Sequence, residues 1–160
     1  MEFEKCRDIL LRENELVREI GGLQDVIHKA VVDRDWTDLE GRFSALDDMG
    51  KELAALENER EQIFSQSLGD VDPSSRFYAF TARLSEEQRK EITEIYRSMK
   101  LETLKVKTAG EALMSYIADA RIVTNGIVEA AFPEKKAKTY SPYGTKASPD
   151  MRSMVLNQQF

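Results

Sequence analysis

Apolar residues recur at a helical period over most of this chain. Ile9, Glu13, Leu16, Ile20, Leu23, Ile27 and Ala30 step by 4, 3, 4, 3, 4 and 3, a heptad seam with one polar member. Val17, Val26 and Val31 widen it into a stripe. The spacing predicts a first helix from about Phe3 to Val32. Gly21-Gly22 costs roughly 2 kcal/mol of helix propensity against Ala-Ala, yet the seam keeps its phase across the pair. Asp33-Arg34-Asp35 is a polar break that suits a tight connection between antiparallel helices. A second seam runs Trp36, Leu39, Phe43, Leu46, Met49 or Gly50, Leu53, Leu56, Arg60 and Ile63. It predicts a helix from Trp36 or Thr37 to Ser67. Each helix spans ~30 residues and ~45 Å, and the matched lengths predict an antiparallel hairpin.

Gly69 and Pro73 mark a stop and a restart. A short helix follows from about Pro73 to Leu84, with Phe77, Phe80 and Leu84 on one face. Ser85-Glu86-Glu87-Gln88 has the form of a capping box, and the longest seam in the chain begins there. Ile92, Tyr96, Met99, Thr103, Val106, Gly110, Leu113, Ile117, Ala120, Thr124, Ile127 and Ala131 alternate 4 and 3 without a slip. Phe132-Pro133 ends this element, because a residue before proline is pushed out of the helical region. It is expected to run ~48 residues and ~70 Å. From Pro133 to Phe160 the period is lost. This segment holds three of the four prolines and a net charge of +3, so residues 1–132 carry −9 of the chain's −6. The expected architecture is all-α. Residues 1–132 form one elongated helical bundle, made of a helical hairpin, a short helix and one long C-terminal helix. Residues 133–160 are expected as a flexible tail.

Composition narrows the function. Hydrophobic residues are 41% and charged residues 32%, and apolar runs reach only three or four residues, too short to span a bilayer. The charged start, Met1 to Asp8, does not read as a secretion signal. A net charge of −6 disfavours nucleic-acid binding, which takes a basic face. A single cysteine, Cys6, closes no intramolecular disulfide and fits a reducing, cytoplasmic compartment. His28 is the only histidine and reads as an ordinary helical residue; Cys6 reads as a small apolar one. Glu57 and Glu61 sit one turn apart without histidine partners, which describes a solvated face rather than a metal site. No Gly-rich loop precedes a helix. The expectation is a non-enzyme with no cofactor and no metal.

The unequal helix lengths carry more information. A ~70 Å helix against a ~45 Å hairpin leaves roughly 25 Å of seam without a partner, part of it within reach of the Phe77/Phe80 helix. Soluble monomers avoid such exposure unless the patch is an interface. Either a second copy pairs with it, giving a homodimer, or it accepts an amphipathic helix from another protein. Met99 and Met114 suit the second case, since a thioether adapts to varied partners.

The stretch Asp35-Trp36-Thr37-Asp38-Leu39-Glu40, leading through Leu53-Ala54-Ala55-Leu56-Glu57-Asn58-Glu59-Arg60, resembles the FlgN family of flagellar type III export chaperones. So does the plan of hairpin, long helix and tail. Thr139-Tyr140 ahead of Gly144, and the ending Ser153-Met154-Val155-Leu156-Asn157, are similar to that family's tail. The resemblance implies a cytosolic chaperone without ATPase activity. It would bind the C-terminal helices of hook-filament junction proteins (hook-associated proteins one and three), prevent their early assembly and deliver them to the export gate. It further implies that a tail tyrosine docks on the cytoplasmic domain of the gate's membrane subunit. Tyr140 matches by its spacing to Gly144, Tyr143 directly precedes Gly144, and Ser141-Pro142 separates the two. Client contacts are expected along the last helix at Met99, Val106, Leu113, Met114 and Ile117. Two alternatives stay open: a coiled-coil protein that only self-associates, and a helical chaperone for a filament or cap protein.

Overall fold

The computed structural model describes residues 2–131; the tail, with Tyr140 and Tyr143, lies outside the described residues. The described residues fold as four α-helices and one 3-10 turn: α1 (Glu2–Val32), α2 (Leu39–Leu68), the 3-10 turn (Pro73–Ser75), α3 (Arg76–Thr81) and α4 (Glu86–Ala131). No strand occurs among the described residues. The all-α architecture is as the periodicity predicts.

α1 and α2 are antiparallel. Glu2 accepts a hydrogen bond from the Ser67 hydroxyl at 2.9 Å, and Arg12 meets Glu52 at 2.8 Å nearer the other end. α4 runs parallel to α1. Arg7 faces Glu91 at 3.9 Å, Asn14 donates to Ser98 at 3.3 Å, and the His28 and Tyr116 rings lie 5.7 Å apart. The numbering advances together along both helices, so they start level. α4 has 46 residues and α1 has 31, so α4 projects about 20 Å past the end of α1.

Two local expectations shift. The second helix begins at Leu39 rather than Trp36 or Thr37. Arg34 and Asp38 both take left-handed backbone, with φ of 56° and 54°, a conformation that interrupts a right-handed helix. Trp36 is thereby placed in the turn between α1 and α2, and it is exposed. The short helix is smaller than expected, a 3-10 turn leading into α3. The capping box forms as predicted. Gln88 N–H donates to Ser85 Oγ, and Ser85 N–H donates to the Gln88 side chain, each at 3.3 Å.

The core divides into two clusters. One, at the α3 end, gathers Cys6, Leu10, Phe64, Phe77, Phe80, Ile92 and Met99. Phe77 stacks on Tyr96 with ring centroids 3.7 Å apart, tying α3 to α4. Arg76 binds Glu61 at 3.0 Å and the Val71 carbonyl at 3.0 Å, tying α3 to α2 and the loop before it. The other cluster, toward the α1–α2 turn, gathers Leu16, Val17, Ile20, Ile27, Leu46, Leu53, Val106 and Leu113 with Val31. Between them lies the polar member of the first seam. Glu13 is fully buried, and the Arg60 Nε donates to both of its carboxylate oxygens at 3.0 and 3.2 Å.

Candidate functional site

The seam of α4 changes character along its length. From Ile92 to Leu113 its members are buried, apart from the half-buried Tyr96, and Ile117 is half-buried. Beyond Ile117 they are Ala120, Thr124, Ile127 and Ala131, small or exposed. The seam thus loses bulk at the level where α1 ends, because no helix lies opposite to fill.

A second stripe takes over there. Tyr116, Ala120, Val123 and Ile127 step by 4, 3 and 4 and so share a face at 100° per residue. Val123 is 61% exposed and Ile127 64%. Ile122, also exposed, lies about a third of a turn round from them. At the same end of the molecule Val32 closes α1 and Trp36 stands in the turn, 61% exposed. These side chains make an apolar end to the rod, and nothing among the described residues packs over it.

The residues expected to contact a client divide. Met99 is 1% exposed, and Val106 and Leu113 are 4% each. All three are core, consumed by α1, α2 and α3, and the expectation that they face a guest is corrected. The cause is the parallel register: α4 starts level with α1, so its first thirty residues are the covered part. Met114 and Ile117 are half-buried at the border of the projecting segment. The Phe77/Phe80 helix packs at the far end against Phe64 and covers none of the projection. Sequence reasoning missed Tyr116, Ile122, Val123, Val32 and Trp36. The available signal was the thinning of the seam at Ala120 and Thr124, which marks the absence of a partner helix.

A cleft of about 530 Å³ with a mixed polar and apolar lining lies at the opposite end, walled by Glu57, Glu61, Phe77, Tyr96 and Lys100 among others. Burial, reinforced by the charge of Glu13, pushes the Glu57 carboxyl up to about 7. Glu13 is also raised by burial, against the pull of Arg60. Burial pushes the Cys6 thiol up to about 12, far from the thiolate a nucleophile needs. No group of His, Cys, Asp and Glu able to hold a metal ion occurs among the described residues. None of the described helices is long and apolar enough to cross a membrane. The fold and its exposed end define the chain as a helical bundle with a projecting apolar helix. No protein-family model, no curated protein and no solved structure matches it.

Proposed function

We propose that this protein is a binding module for amphipathic helices, and specifically an export chaperone for the C-terminal helices of hook-filament junction proteins. The observation that carries the reading is the apolar projection of α4, with Val123 and Ile127 more than half exposed. An apolar stripe with 4-3 spacing is the surface an amphipathic helix covers, through anchors at i, i+3, i+4 and i+7. Hiding the client's apolar face needs no chemistry. The protein acts in the cytoplasm by sequestration and delivery, as a non-enzyme with no cofactor and no nucleic-acid partner. The resemblance of Asp35–Arg60 and of the tail ending to FlgN chaperones supplies the client class. For delivery, the reading assigns Tyr140 or Tyr143 to the cytoplasmic domain of the export-gate subunit.

The test is a binding titration with a synthetic junction-protein C-terminal peptide. Val123→Asp and Ile127→Asp are expected to weaken binding at least about tenfold each, some 1.4 kcal/mol, while the melting temperature stays put. Unchanged affinity would reject the site. Tyr140→Ala and Tyr143→Ala are expected to leave client capture intact, and at least one of them to weaken gate docking.

One observation favours a second reading. Ala120, Val123, Ile127 and Ala130 are symmetric about position 125, so two antiparallel copies would set Val123 against Ile127 and Ala120 against Ala130, an isologous pairing. Sedimentation that shows a tight dimer indifferent to added peptide would establish self-association instead.

A further inference from the structure

The apolar end needs a cover when no client is bound, and the chain carries a segment suited to it. We propose that residues 133–160 fold back onto the apolar end formed by α4 and the α1–α2 turn, and that Met154-Val155-Leu156 and Phe160 shield Val123, Ile127 and Trp36 until a partner helix displaces them. The inference deepens the docking reading and rests on it for the displacement step alone.

Position, reach and charge favour this occupant. α4 ends at Ala131, within the exposed strip itself, and the segment starts two residues later. Met154 follows Ala131 by 23 residues. That length, extended, spans about 75 Å, while the strip covers only about 20 Å. The segment therefore reaches every part of it with slack. Residues 33–48, at the same end, carry six carboxylates against two arginines, and residues 118–131 carry two carboxylates against one arginine. The segment brings five Lys and Arg against two carboxylates, so the two surfaces attract. Tethering adds an effective concentration on the order of 1 mM. A contact too weak to hold a separate peptide is then half occupied within one chain.

A second copy is the rival occupant. It would cover the same strip only at the cost of the translational and rotational freedom lost on association. The tail pays only loop closure, which grows slowly with length.

Trp36 is the single tryptophan of the chain, so its fluorescence reports on this end alone. Acrylamide quenching is measured on the full chain and on a full-chain Met154→Asp/Leu156→Asp variant, with no client present. The expected result is a quenching constant about twofold higher in the variant, consistent with a cover occupied about half of the time at that effective concentration. The difference shrinks in high salt. It stays constant between roughly 1 and 100 µM protein, since an intramolecular contact ignores mass action. Equal quenching of the two proteins overturns the proposal, and a concentration-dependent difference assigns the cover to a second copy. A titration of both proteins with the junction peptide then separates the two claims. Tighter binding by the variant supports displacement. If neither protein binds the peptide, the docking reading fails while the Trp36 result still decides the cover.

Discussion

Glu13 and Arg60 show how one polar residue in a seam is accommodated. Both occupy heptad positions, one on each arm of the hairpin, and the bifurcated bond from Arg60 Nε to the Glu13 carboxylate fixes which turn of α2 faces which turn of α1. Removing one partner strands a charge in the core. Arg60→Met alone is expected to cost about 3–5 kcal/mol, whereas Glu13→Leu with Arg60→Met is expected to be neutral or stabilising; urea denaturation of the three proteins reads the difference. Glu57 makes the stability depend on pH. Its carboxyl is raised to about 7 from an ordinary 4.5, so the folded state favours the protonated form. That contribution is complete below about pH 4.5 and is lost as pH rises through 7. Because Glu57 is only half-buried, roughly 1 kcal/mol is at stake after screening. Glu57→Gln should flatten the fall in stability between pH 5 and 8 by about that amount, measured by chemical denaturation across the range. The seam position of Glu13 and Arg60 was legible from spacing. Their pairing was not, since two helices must be placed side by side before position 13 finds position 60.

Among the elements, the helices follow from local rules that agree with one another. Periodicity set α1, α2 and α4, the Ser85–Gln88 box opened α4 where the pattern begins, and polar residues closed the hairpin. The left-handed residues Arg34 and Asp38 were not legible, because neither is glycine and no pattern announces them. The Gly21-Gly22 pair has two meanings. A Cβ on Gly21 would sit 3.3 Å from Val106 Cγ2, whereas one on Gly22 would meet nothing within 4 Å. Gly21 therefore lets α4 approach α1 closely, and Gly22 carries only the cost of a flexible residue in a helix. Gly22→Ala is expected to raise stability by about 0.5–1 kcal/mol. Gly21→Ala is expected to gain nothing or to lose stability, since the contact with Val106 must give way. Thermal melts of the two single variants check the contrast.

At the scale of the molecule, the decisive quantity is the register between α1 and α4. The lengths alone implied a surplus of α4, but they left open which end of α4 it occupied. Parallel packing from Arg7–Glu91 to His28–Tyr116 places it at the C-terminal end. That is why Met99, Val106 and Leu113 are core while Val123 and Ile127 are bare. The two groups must respond in opposite ways. Met99→Ala or Leu113→Ala is expected to lower stability by about 2–5 kcal/mol, while aspartate at 123 or 127 changes it by less than about 0.5 kcal/mol.

The projection of α4 is the surface proposed to take a partner helix, and hydrogen exchange reads that surface directly. With a junction-protein C-terminal peptide bound, amides of residues 118–131 are expected to gain protection, while those of residues 92–113, already deep in the bundle, are expected to change little. Protection confined to residues 92–113, or none anywhere along α4, would contradict it.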